Sequence, residues 1–112
     1  MRHCLTLDLK PDPENIFAYE QWHRPDKIKK EIPEGIRAVG IQEMEIYRWE
    51  HRLFLIVDTE DDFDWDKQMK KLAGLPGQQE WEILMDAYQQ KLTKGKDKWM
   101  KMHAIFTLTN CT

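Results

Sequence analysis

Cysteine is scarce in this chain: two residues, Cys4 and Cys111, stand near opposite ends of 112. They form no CxxC pair and no Cys/His cluster at ligand spacing, which argues against a structural metal site and predicts free thiols in a reducing compartment. Long hydrophobic runs are also missing. No stretch approaches the length of a membrane span. The start, MRHCLTLDLK, alternates apolar with polar residues where a signal peptide needs a continuous apolar segment. The expectation is a cytoplasmic protein with no membrane partner. Neither sign of charge dominates: 17 basic residues face 20 acidic ones for a net charge of −3, so nothing draws the whole chain to nucleic acid or anionic lipid. The basic runs at 27–30 and 94–98 read as solvated surface. A phosphate loop, a nucleophile elbow, a zinc motif and a redox motif are all absent.

What is present describes a folded protein. Hydrophobic residues make up 41% of the chain and charged ones 33%, with five tryptophans, which is too much apolar material for disorder. The length suits one domain, residues 1–112, and no repeat or linker divides it.

Periodicity supplies the elements. From Arg2 to Leu9, His3, Leu5, Leu7 and Leu9 alternate with polar neighbours, the period-two pattern of a strand whose odd positions face a core. Asp12 and Pro13 read as the N-cap and first residue of a helix. That helix breaks near His23, ahead of Pro25, and continues as a short basic segment ended by PEG at Gly35. Residues 36–49 and 52–59 read as a hairpin with His51 at its turn. A helix from Phe63 to Ala73 stops at Gly74, and a second carries Trp81, Leu84, Met85, Tyr88 and Leu92 on one stripe. After the loop TKGKDK, Trp99 to Leu108 reads as a closing strand. Strand, helix, strand, strand, helix pair, strand is the split βαβ order of an α+β, ferredoxin-like antiparallel sheet with helices on one face. The bare face predicts a homodimer of the dimeric α/β barrel type.

The chemistry-bearing residues are a group of protonic and aromatic side chains: Tyr19, His23, Trp22, Tyr47, Trp65, Trp81, Tyr88 and Trp99. Tyr19 and His23, four apart on a helix, share a face. Indole and phenol rings stack on the apolar face of a sugar while their polar atoms bond its hydroxyls. Taken alone, the same stripes describe an ordinary core, and a lone helical histidine is more often structural than catalytic.

YEQWHRP resembles the Tyr-x-x-x-His-x-Pro signature on the first helix of the L-rhamnose mutarotase family. The similarity continues through GIQEMEIYRWEHRLFLIVDTEDDFDWDKQMKKLA, QQEWEILMD and WMKMHAIFTL, nearly the whole chain. The resemblance implies a ferredoxin-like dimer that interconverts the α and β anomers of a 6-deoxyhexose monosaccharide, most simply L-rhamnose, without metal or organic cofactor. Tyr19 and His23 match the family's pocket tyrosine and its proton-transfer histidine. Trp81 and Trp99 fall where the family often pairs tryptophans, but here Glu82 and Met100 follow them. Met44 stands where some members carry a sugar-contacting tyrosine, and Trp65 completes the expected aromatic walls.

Ring opening needs a base for the anomeric hydroxyl and an acid for the ring oxygen, and an imidazole of pKa about 6.5 offers both forms near neutrality. His23 and Tyr19 are thus the expected catalytic residues, with Trp81, Trp99, Met44 and Trp65 binding the sugar. The alternatives are a non-catalytic small-ligand-binding dimer and a cofactor-independent or haem-degrading monooxygenase on the same architecture. His3 reads as structural and His51 as a turn residue. His103, on one strand face with Trp99 and Ile105, is a second candidate for the pocket.

Overall fold

The computed structural model describes residues 1–95 and 97–111, so Lys96 of the expected TKGKDK loop lies outside the described residues. Strand β1 (Arg2–Leu9) buries Leu5, Leu7 and Leu9 as its alternation requires. Asp12 caps helix α1 (Pro13–Trp22), its carboxylate accepting the Glu14 N–H at 3.1 Å, and Pro13 occupies the first turn, where a missing N–H costs nothing. The helix stops at His23, as the sequence indicates.

The next segment departs from expectation. Instead of ending at PEG, the chain turns through residues 24–30 and begins a separate helix α2 (Glu31–Ala38) that runs through Pro33, Glu34 and Gly35. Pro33 is tolerated because it sits in the first turn. Gly35 is a point of close approach: a Cβ there would lie 2.4 Å from Nε2 of buried Gln78. That amide donates to the Glu31 and Ile32 carbonyls at 3.0 and 3.1 Å. The true stop is Gly40, whose φ of 99° lets the chain leave the helix. Residues 36–38 are consequently helical, and strand β2 begins only at Ile41 (Ile41–Trp49).

β2 pairs with β3 (Arg52–Thr59) across a turn at Glu50 and His51. Asp64 caps α3 (Trp65–Ala73), which ends at Gly74. Helix α4 (Gln78–Asp86) is shorter than its apolar stripe suggests. Tyr88 and Leu92 lie beyond it, because the Tyr88 carbonyl is taken by the Lys10 N–H at 3.0 Å and the chain joins β1 as β4 (Gln89–Gln90).

The last strand is the largest correction. Of the expected strand only Met100–Lys101, β5, pairs with β1, followed by a hydrogen bond from the Met102 N–H to the Cys4 carbonyl. Leu5 faces Lys101, so each further residue steps one back along β1 and Ile105 would face Met1. Beyond that point β1 offers no partner. Ile105 is 92% exposed, and Phe106 and Leu108 are exposed with it. Cys111 therefore does not run beside Cys4, and both thiols are free. His103 is exposed and off the strand, not on a shared face with Trp99.

The sheet order is β2-β3-β1-β4, all pairs antiparallel, with β5 also on β1. This is an α+β, ferredoxin-like fold. One core group joins Leu5, Val39, Ile41, Leu55 and Val57, and a second joins Leu9, Tyr19, Leu53 and Met85. The helices thus cover the face that carries the odd residues of β1 and β3. Among the described residues no helix is long and apolar enough to cross a membrane.

Candidate functional site

Strand β2 reaches past the helical cover. On its inner face Met44, Ile46 and Arg48 look onto a cavity of about 730 Å³ closed by α1, α2 and Trp81 of α4. Tyr19, Glu20 and His23 enter from α1, while Ile32 and Ile36 supply an apolar wall from α2.

The end of α1 sets the state of His23. Its amide N–H turns to the Glu20 carbonyl at 3.1 Å, a tightened last turn, while Nδ1 lies 2.8 Å from the Tyr19 carbonyl. A carbonyl only accepts, so Nδ1 carries a hydrogen. In the neutral ring Nε2 is then the bare nitrogen, able to take a proton. Burial pushes the imidazole below its ordinary value of 6.5, against the opposite pull of the Tyr19 carbonyl. The neutral, basic form is favoured near pH 7.

Aromatic contacts hold this ring: the His23 and Tyr19 centroids are 4.5 Å apart, and the Trp81 indole meets His23 edge-on at 5.2 Å. Tyr19 is 3% exposed. Burial pushes its phenol up to about 12, which the Gln89 amide opposes and the Glu82 charge reinforces. A phenol so weakly acidic donates hydrogen bonds and keeps its proton at neutral pH. Nε2 of Gln89 donates to the Tyr19 hydroxyl at 3.3 Å. At the mouth, Arg48 of β2 pairs with Glu20 of α1.

Of the residues expected from sequence, the structure gathers Tyr19, His23, Trp81 and Met44 around one cavity. Trp65 and Trp99 do not line it. Trp65 packs on His3 at 4.8 Å beneath the Lys101 ammonium, and Trp99 is wedged between the two core groups. His3 bonds the Thr59 hydroxyl at 2.9 Å, a structural role, and His51 stands at the hairpin turn 3.8 Å from Asp8. Lys98, expected on solvated surface, is half-buried between Glu82 and Asp86. Sequence reasoning overlooked Glu20, Arg48 and Gln89. Two signals were available: Glu20 lies three residues before His23 on one helical face, and Arg48 continues the alternation of Met44 and Ile46. For Gln89 there was none.

Among the described residues no three His, Cys, Asp or Glu side chains stand close enough together to hold a metal ion.

Comparison with known proteins adds four findings. The family model described as L-rhamnose mutarotase matches residues 2–108. An L-fucose mutarotase of Xanthomonas campestris pv. campestris is 36% identical over 110 residues, covering 96% of this chain and 88% of that protein. A UPF0734 protein of Dictyostelium discoideum is 31% identical over 112 residues, covering 95% and 88%. In three dimensions the chain resembles the tetracenomycin F2 cyclase of Streptomyces glaucescens, with a TM-score of 0.60, 19% identity, and 96% and 97% of the two chains covered; this likeness concerns the fold.

Proposed function

The chain belongs to the L-rhamnose mutarotase family, and we propose that it interconverts the α and β anomers of a 6-deoxyhexose, with His23 as the proton carrier. The observation that carries the mechanism is the 2.8 Å approach of His23 Nδ1 to the Tyr19 carbonyl, which implies the tautomer with Nε2 bare. Nε2 takes the proton of the anomeric hydroxyl, the bond from the anomeric carbon to the ring oxygen breaks, and the ring oxygen gains a proton as the aldehyde forms. After rotation about the bond between the first two carbons, the same transfers in reverse close the ring on the other face. The imidazolium formed in the first transfer is the acid available for the second. Tyr19, held protonated, donates a hydrogen bond to a sugar oxygen.

Ile32, Ile36, Ile46 and Met44 offer an apolar surface for the 6-methyl group, and Glu20 and Arg48 polar contacts for hydroxyls. The family description names L-rhamnose and the Xanthomonas relative L-fucose, both 6-deoxyhexoses, so the methyl group is the shared feature. L-rhamnose is the first substrate to test. NMR of anomer exchange on L-rhamnose, L-fucose and several other aldoses should show acceleration above the buffer rate for the deoxy sugars first. No acceleration on any of them would leave the small-ligand-binding reading in its place.

A homodimer through the sheet faces is part of this reading. The face away from the helices carries Phe54 and Ile56 of β3, with Tyr47 and Trp49 beside them by register, and Trp49 is 70% exposed. So much aromatic surface on an uncovered sheet favours a second copy over water. The free thiols accord with a cytoplasmic location.

A further inference from the structure

We propose that Gln89 is a positioning residue for Tyr19, aiming the phenol hydrogen at the bound sugar; the inference rests on the mutarotase reading above. Gln89 is only 8% exposed, and its backbone is fixed where β4 meets Leu9 of β1. Its Nε2 donates to the Tyr19 hydroxyl at 3.3 Å, while its Oε1 is buried without a partner among the described residues. A phenol oxygen that accepts from an amide has its own hydrogen left to give. Turned the other way, the amide would take that hydrogen on Oε1 and leave both N–H groups unused. Orphaned buried N–H groups are rarer than under-satisfied oxygens, so the donating orientation is favoured.

The Glu82 carboxylate is near enough for its charge to be felt at Tyr19. That carboxylate is drawn to Lys98 Nζ at 2.8 Å, which also holds Asp86 at 2.6 Å, and among the described residues the phenol hydroxyl has a side-chain hydrogen bond to Gln89 alone. The hydrogen is thereby left for a ligand in the cavity that the phenol lines. A leucine would fill the Gln89 position without the cost of an unpartnered oxygen, giving up only the bond to Tyr19. A buried amide kept at that cost suggests a role other than stability.

The test is a double-mutant cycle on anomer exchange, using Gln89→Leu, Tyr19→Phe and the pair, with melting curves and tyrosine Cζ NMR. Gln89→Leu is expected to lower kcat about tenfold, the worth of one ordinary hydrogen bond, with KM little changed. It should have no further effect once Tyr19 is Phe. Its melting temperature should change little, because the bond lost at the Tyr19 hydroxyl is offset by removal of the orphaned oxygen. The Cζ signal of Tyr19, one of three tyrosines, should shift. Gln89→Met, equally unable to donate, should give the same pattern if Gln89→Leu folds poorly. Equal losses in both backgrounds, a fall in melting temperature that accounts for the loss, or an unmoved Tyr19 signal overturns the proposal. Absence of exchange in the unsubstituted protein overturns the mutarotase reading, and this inference with it.

Discussion

Replacing His23 by asparagine tests the reaction most directly. Asparagine can still offer an N–H towards the Tyr19 carbonyl, but its amide oxygen is no base at neutral pH. Removing a positioned acid–base group costs about 10²- to 10⁴-fold in rate, so anomer exchange should fall by that order. The structural penalty is smaller. The ring contacts Tyr19 at 4.5 Å and Trp81 at 5.2 Å, and losing both aromatic contacts costs about 1 to 2 kcal/mol, or roughly 5 to 10 °C of melting temperature. A domain of ordinary stability, on the order of 5 to 15 kcal/mol, stays folded at 25 °C after that loss. The pH dependence gives a second reading. Burial lowers the His23 pKa below 6.5, so exchange by the unsubstituted protein should persist above that value and decline as Nε2 is protonated below it. Folding follows with a defined sign: between the lowered folded pKa and 6.5 the unfolded chain binds more protons, so stability is full above the window and falls as pH drops through it. The asparagine variant should lack this acid-side slope. His3, also lowered chiefly by burial, stays in both proteins and cancels from the difference. A folded His23→Asn protein with undiminished exchange on every sugar, measured by NMR at several pH values, refutes the assignment.

Tyr19→Phe should cost on the order of 1 to 3 kcal/mol of transition-state stabilisation if its hydroxyl bonds the reacting sugar. Because that phenol is pushed up to about 12, exchange rates across neutral pH should keep the profile of the unsubstituted protein; a changed limb there would mean that Tyr19 transfers a proton. Gly35→Ala drives a methyl to 2.4 Å from the Gln78 amide and should destabilise by about 1 to 3 kcal/mol, read as a lower melting temperature; an unchanged melt would show that α2 and α4 are not tied at this point. Light scattering at micromolar concentration should report about twice the chain mass, and Trp49→Lys should shift it towards one chain; a stable monomer of the unsubstituted protein removes the dimer.

The sequence was most legible where local chemistry decides. Alternation placed β1, Asp12 with Pro13 opened α1, Gly74 ended α3, and the spacing of Tyr19 and His23 put both on one face of the cavity. It misled where two local signals compete. The stretch Ile36 to Ile41 is short and mostly apolar and suits helix or strand, and Gly35 resembles the stop that Gly40 supplies. The aromatic residues show a different limit. Trp65, Trp81 and Trp99 look alike in sequence, yet only Trp81 faces the cavity, because the choice between core and wall depends on which helix covers which strand. Gln89 was invisible for the same reason: its burial is created by the meeting of β4 with β1, and a glutamine in isolation reads as surface.

The proline two residues beyond His23 ties these levels together and yields a last prediction. In an uninterrupted helix the His23 N–H would bond the Tyr19 carbonyl, four residues back, and that carbonyl would be less available to the imidazole. Pro25 has no N–H to extend the ladder and biases Arg24 away from helical angles, so α1 ends in a tightened turn with His23 N–H on Glu20 and Arg24 N–H on Gln21. The Tyr19 carbonyl is left for Nδ1, and Nε2 is left bare. Pro25→Ala removes the obstacle, so α1 should gain part of a turn and the backbone should compete with the imidazole for Tyr19. In ¹⁵N NMR the neutral His23 ring should shift from the Nδ1–H tautomer towards Nε2–H. Exchange should fall by up to about tenfold, the worth of one hydrogen bond that fixes the base, with the fold intact. A His23 ring that keeps its Nδ1–H form in Pro25→Ala, with full activity, would show that the helix end does not set the tautomer and that the packing of Tyr19 and Trp81 is sufficient.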